Sequence, residues 1–224
     1  MIWYMNNNVH IAGNHGPDLP SGWNVAGVAD FNGDGYPDYV LENSNVGGTR
    51  IWYLRNNDRI GTAPGPSLPG QWTLVGVADF NRDGNPDYLL FNSSNLATVI
   101  WYMDNNLRIA GNHGPDLPSG WNVAGIADFN RDGYPDYLLY NANTGGTRIW
   151  YLRNNNRIGA ASGPTLPSGW TLMGAADFNG DGHPDCVLYK SSTRETAIWY
   201  LNNRVFVSSA SGPTLPAGWS LVGQ

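Results

Sequence analysis

The chain reads as all-β, a β-propeller of four-stranded blades with a 49-residue repeat, and three observations predict it. Ile-Trp-Tyr begins at Ile2, Ile51, Ile100, Ile149 and Ile198, and a second tryptophan follows in each unit at Trp23, Trp72, Trp121, Trp170 and Trp219. A nine-residue segment, Asp-Phe-Asn-x-Asp-Gly-x-Pro-Asp, begins at Asp30, Asp79, Asp128 and Asp177, each 49 residues on from the last. No segment sustains a 3.6-residue apolar period, so helix is a poor reading, and a unit of this length made of short strands is the mark of a propeller blade.

The elements follow from one unit. In the second, Thr73 to Asp79 is a run of small residues suited to the crowded centre of a propeller. Tyr88 to Phe91 is a short apolar strand, and Thr98 to Met103 carries the Trp-Tyr pair, whose large flat side chains suit the contact between blades. A weaker strand from Leu107 to Gly111 runs into a Gly/Pro-rich connection, and Asn- and Asp-rich turns bound every segment. The whole, 1–224, reads as a single repeat domain with a partial unit 1–29 and full units 30–78, 79–127, 128–176 and 177–224. Residues 11–27 and 109–125 are identical, so the units alternate in two flavours and point to duplication of a pair.

The chain holds five copies of the Ile-Trp-Tyr half-unit but four of the nine-residue loop. Two closures are therefore expected: a ring of about five blades with one incomplete, or a homo-oligomer in which paired chains share a ring of about eight to ten.

Charge is sparse, and twelve of the eighteen acidic residues lie in the four loops. One divalent cation per loop would add eight positive charges and turn the net −6 into +2, so the acidity describes the loops and not a general surface. The arginines are scattered without a basic stripe, which argues against nucleic acid; no apolar run is long enough to span a membrane, and no signal peptide opens the chain. Cys186 takes the place of Tyr39, Tyr88 and Tyr137 in the other units and reads as a buried small apolar residue.

The loops carry the candidate chemistry. Each offers hard oxygens at places one, three, five and nine and a backbone carbonyl at place seven: Asp30, Asn32, Asp34, Tyr36 and Asp38; Asp79, Asn81, Asp83, Asn85 and Asp87; Asp128, Asn130, Asp132, Tyr134 and Asp136; Asp177, Asn179, Asp181, His183 and Asp185. Calcium fits an oxygen-only set of this size, about one ion per complete loop, whereas magnesium wants a tighter octahedron and zinc a softer ligand. An EF-hand needs Glu at place twelve, where these loops have Leu41, Leu90, Leu139 and Leu188. The fourth place (Gly33, Arg82, Arg131, Gly180) reads as a spacer.

The unit Trp-x-Leu-Val-Gly-Val-Ala-Asp-Phe-Asn-x-Asp-Gly-x-Pro-Asp-Tyr-Leu-Leu resembles the FG-GAP and VCBS repeats of bacterial surface proteins and the calcium-binding blades of integrin α-subunits. That resemblance covers the whole chain. It implies a propeller with calcium in the loop joining the first two strands of a blade, and an extracellular or cell-surface life in adhesion or glycan binding.

No enzyme is expected, because the four His do not recur at one place of every unit and Glu42 and Glu195 are the only Glu. The expected function is a calcium-stabilised adhesion or protein-interaction scaffold. The alternative is a calcium-dependent lectin with repeated sites between blades, in which Trp faces stack on sugars and the paired Asn, such as Asn56-Asn57 and Asn105-Asn106, line the rim.

Overall fold

The computed structural model describes residues 1–222, and among them the secondary structure is strand and turn only. A two-stranded sheet comes first, β1 (Ile2–Asn6) with β2 (Val9–Asn14). Four four-stranded antiparallel sheets follow, each in sequential order, as expected of propeller blades. Blade A is β3 (Asn24–Ala29), β4 (Asp38–Asn43), β5 (Gly48–Arg55) and β6 (Asp58–Pro64); blade B is β7 (Trp72–Ala78), β8 (Asp87–Asn92), β9 (Ala97–Asp104) and β10 (Leu107–His113). Blade C is β11 (Asn122–Ala127), β12 (Asp136–Asn141), β13 (Gly146–Arg153) and β14 (Asn156–Ser162); blade D is β15 (Thr171–Ala176), β16 (Asp185–Lys190), β17 (Glu195–Asn202) and β18 (Val205–Ser211).

The chain divides into two compact units. The first holds Met1–Ile2, Asn14–Pro118 and Asn154–Asn156, hence blades A and B; the second holds Trp3–Gly13, Ser119–Arg153 and the chain from Arg157 onward, hence blades C and D and most of the β1–β2 hairpin.

Within each unit the first strands of the two blades meet, β3 against β7 and β11 against β15. The small residues there are a steric requirement. A Cβ on Gly27 would lie 2.9 Å from Val77, closer than real Cβ contacts come, and one on Gly125 would lie 3.0 Å from the Ala175 nitrogen, a contact that would force the neighbour to shift. The same glycines follow a β-bulge, with register shifts between Val25 and Gly27 and between Val123 and Gly125.

Alternating residues of the second and third strands fill the cores. In the first unit Val40 and Ile51 of blade A pack with Tyr88, Leu90, Trp101 and Met103 of blade B. Phe31, at place two of the loop, meets Tyr88 edge-on with ring centroids 6.1 Å apart. In the second unit Leu138 and Ile149 pack with Cys186, Leu188 and Leu201. Cys186 is buried as expected, and burial pushes its thiol up to about 12, so it serves as packing and not as a nucleophile.

The Asn pairs in the turns between third and fourth strands clamp neighbouring blades. The first Asn of each turn takes a left-handed backbone, φ 58° at Asn56 and 52° at Asn105. In the first unit Tyr53 donates its hydroxyl to Asn105 Oδ1 at 2.6 Å, and Asn106 Nδ2 donates to the Pro64 carbonyl at 2.9 Å. In the second unit Tyr151 donates to Asn203, Tyr200 to Asn7, and Asn8 Nδ2 to the Ser211 carbonyl. Both the Trp-Tyr strand and the Asn turns thus serve blade contact. Glu42 of blade A is likewise buried and accepts from the Leu74 N–H of blade B at 3.3 Å, a structural use of a carboxylate.

Candidate functional site

Each nine-residue loop connects the first strand of its blade to the second, and the four loops repeat one hydrogen-bond pattern. The place-one carboxylate folds back over the turn: Asp30 Oδ2 accepts from Gly35 N at 2.7 Å, Asp79 Oδ2 from Gly84 N at 2.9 Å, Asp128 Oδ2 from Gly133 N at 2.7 Å and Asp177 Oδ2 from Gly182 N at 2.8 Å. The place-three amide oxygen accepts from the place-five nitrogen, at 3.0 Å for both Asn32 and Asn81. The place-five carboxylate accepts from the place-seven nitrogen, as between Asp34 and Tyr36 at 3.0 Å or Asp181 and His183 at 2.8 Å. These are Asx turns in series. They gather three oxygen side chains on one side of each loop, where the Asp30 and Asn32 oxygens both reach the Asp34 nitrogen, at 3.2 Å and 3.0 Å.

Two backbone positions per loop are left-handed. Place six is always Gly, φ 87°, 90°, 87° and 81° at Gly35, Gly84, Gly133 and Gly182. Place four is left-handed as well, φ 71° and 76° at Gly33 and Gly180 but 63° at Arg82 and Arg131. The fourth place is therefore more than a spacer: two loops hold a bulky side chain where glycine rests without strain.

Place nine stands apart. Asp38, Asp87, Asp136 and Asp185 are all fully buried. One oxygen of each accepts from the place-two Phe nitrogen, at 3.0 Å for Asp87 with Phe80, and the other from the third strand, at 3.0 Å for Asp87 with Met103. Asp38 makes the same bridge to Phe31 and Leu54, Asp136 to Phe129 and Leu152, and Asp185 to Phe178 and Leu201. Burial pushes Asp87 and Asp136 up to about 7, against the pull of those backbone bonds; in Asp87 the nearby Asp83 and Asp79 carboxylates add to the rise. Asp181, at place five of the fourth loop, behaves oppositely. The His183 N–H and the Asn179 amide hold Asp181 below the usual carboxylate range.

The donor set can be tested against a cation on this geometry. Places one, three and five present hard oxygens side by side, while the ninth carboxylate faces inward, each oxygen keeping a lone pair beyond the one its N–H engages. Among the described residues no three acidic, imidazole or thiol side chains converge as a metal cluster. Two carboxylates and one amide per loop nevertheless suit an oxygen-seeking ion, with the ninth carboxylate and the seventh carbonyl adjacent in the chain. In three of the loops the place-seven side chain is engaged elsewhere, which leaves its carbonyl for that role. The Tyr36 and Tyr134 rings lie under Arg55 and Arg153, each with the guanidinium carbon 5.5 Å from the centroid, and His183 lies 3.4 Å from Arg131.

The second conspicuous surface surrounds the first-strand tryptophans. Arg50 lies over Trp23 at 5.1 Å, Arg148 over Trp121 at 4.9 Å and Lys190 over Trp170 at 6.0 Å. In blade B the place of Arg50 and Arg148 is held by Val99, and a cleft of about 280 Å³ opens beside Trp72 and Trp101. The Ile-Trp-Tyr tryptophans carry a second layer of arginines, Arg59 over Trp52 at 4.5 Å, Arg108 over Trp101 at 4.2 Å and Arg157 over Trp150 at 4.4 Å. The repeat spacing had marked these tryptophans, but not the cations that cover them.

A family model described as FG-GAP-like repeat matches residues 30–90, 79–139 and 128–188. No curated protein matches the chain. Among solved structures, a protein of unknown function from Bacteroides caccae is similar at 16% identity and a TM-score of 0.49, over 86% of this chain and 62% of that one. The Photorhabdus luminescens Tc holotoxin pore is similar at 18% identity and a TM-score of 0.50, over 90% of this chain and 10% of that one. Chaetomium thermophilum Raptor is similar at 11% identity and a TM-score of 0.46, over 93% of this chain and 18% of that one. The chain spans less than two thirds of each of these structures, and the likeness concerns the fold.

Proposed function

Because the chain belongs to the FG-GAP-like repeat family, we propose that it is a non-enzymatic interaction scaffold, its blades fastened by calcium in the four loops and its surfaces offered to an extracellular partner in adhesion. The observation that carries this reading is the fourfold loop pattern, in which three oxygen side chains sit together above two left-handed turns while a buried carboxylate ties each loop to the third strand. At places one, three and five the chain holds the oxygens together and orders the backbone beneath them. A bound calcium would supply positive charge against the paired carboxylates of each loop. Extracellular fluids, where calcium is plentiful, suit such sites.

Thermal melting in calcium and in chelator tests the reading. At a free calcium level about one hundred times its dissociation constant, each site adds roughly 2.7 kcal/mol, so the melting temperature falls clearly on chelation. Identical curves would sink it.

A second reading, carbohydrate binding, is favoured by one specific observation: Trp72 lacks the cation that covers Trp23, Trp121 and Trp170, and it borders an open cleft. This is narrower than repeated sites between blades, since in blades A, C and D the equivalent indole is covered.

A further inference from the structure

We propose that the cleft on blade B is a single binding site for a pyranose ring, stacked on Trp72 and held at its edge by Arg108, Asn112 and His113. The inference rests on the carbohydrate reading above and does not depend on calcium in the loops.

Three differences from blades A and C converge on this cleft. The first is Val99, which stands where blades A and C have Arg50 and Arg148, so the space that a guanidinium fills over Trp23 and Trp121 is left open over Trp72. The second is Gly111, where blades A and C have Thr62 and Ala160. A Cβ on Gly111 would come within 2.9 Å of Trp101 Cδ1 and 3.1 Å of an Arg108 terminal nitrogen, so the glycine leaves room at the cleft beside Trp101 and Arg108, which stack at 4.2 Å. The Arg108 Nε donates to the Ala110 carbonyl at 3.3 Å, which fixes the guanidinium as part of the wall. The third is the pair Asn112-His113, exposed at the cleft where blade A has Ala63-Pro64 and blade C has Ala161-Ser162. Blade B has thus lost an internal plug and gained hydrogen-bonding groups at the same spot.

The lining decides the ligand class. An aliphatic group would leave the amide, imidazole and guanidinium unpaired, at a cost for each polar group desolvated. A free cation would find an indole face but no carboxylate among the lining residues to hold it, and it would sit beside Arg108. In blade A the equivalent cation is tethered through the backbone of Arg50, so its placement needs no such partner. A pyranose has an apolar C–H face for the indole and hydroxyls around its edge for the donors and acceptors of Asn112, His113 and Arg108. One ring matches a cleft of about 280 Å³.

Calorimetry of the calcium-loaded full chain against a panel of methyl hexopyranosides, methyl glucuronoside and acetyl-arginine amide tests the site. The expected result is saturable binding of at least one pyranoside at one site per chain. Val99→Arg, which restores the residue of blades A and C, is expected to weaken that binding at least about tenfold, as stacking and edge contacts are lost together. Asn112→Ala, at an exposed position, is expected to weaken it several-fold with an unchanged melting curve, and it decides the matter if Val99→Arg fails to fold. Pyranoside binding that survives both substitutions would overturn this site while leaving the carbohydrate reading in place. Preference for acetyl-arginine amide would replace the sugar with a cationic peptide side chain, and no binding by any member of the panel would end both.

Discussion

The loops and the first-strand indole faces repeat at the same 49-residue interval, yet one is held constant and the other varies from blade to blade. All four loops keep oxygens at places one, three, five and nine, and each ninth carboxylate bridges the same two backbone nitrogens. The place of Arg50 is held by Val99, Arg148 or Ala197 in the later blades, and in blade D the cation over the indole comes instead from Lys190. Loop constancy follows from buried geometry: two N–H groups and a carboxylate must find one another inside the protein in every blade. The indole face borders solvent, where a lost cation costs little, so a blade can be opened without unfolding it. Constancy thus marks the fastener, and departure from the repeat marks the surface available for recognition.

The contrast breaks most visibly at the ninth place. Asp87→Ala or Asp136→Ala leaves two buried backbone N–H groups without an acceptor and is expected to lower unfolding free energy by about 2–4 kcal/mol, measured by urea denaturation. Substituting the exposed fifth place separates metal from fold. Asp83→Ala is expected to leave calcium-free stability within about 0.5 kcal/mol. In calcium it removes one site's share, roughly 2.7 kcal/mol at one hundred times the dissociation constant.

A pH series sharpens the same distinction in chelator. Burial raises Asp87 to about 7 from the 3.8 usual for an aspartate, so the native state holds this proton more tightly than the unfolded chain. Its contribution is fully present below about pH 4 and is lost as pH rises through about 7. Calcium-free stability should decline across that window, and Asp87→Asn, which cannot titrate, should flatten the decline. A wild-type profile that rises there and does not respond to the substitution would contradict the assignment. The smallest effect belongs to the fourth place: Arg82→Gly relieves a left-handed arginine but gives the unfolded chain more freedom, so the net gain should stay within about 1 kcal/mol.

Much of this was legible in the residues because a repeat states its constraints several times over. Ile-Trp-Tyr and the small-residue run located the third and first strands, and the Gly27 and Gly125 contacts show why the latter has to be small. The loop spacing identified the oxygen side chains but could not separate places one, three and five from place nine. The partners that set place nine apart lie seven residues before it and sixteen after, and only folding brings them together. The left-handed fourth place was hidden because arginine stands there in two copies. The Asn pairs read as turns or sugar contacts, while their use as clamps depends on a tyrosine hydroxyl 52 residues away. Val99 was visible as a break in the pattern, but its meaning required the guanidinium over Trp23.

The central claim, that the four loops are calcium fasteners, is tested most directly by counting ions. Calcium titrated calorimetrically into chelator-treated protein should saturate at four per chain, and Asp34→Ala, Asp83→Ala, Asp132→Ala and Asp181→Ala, added one after another, should lower the count by one each. A titration with no saturable heat, or a count that ignores these substitutions, would contradict it.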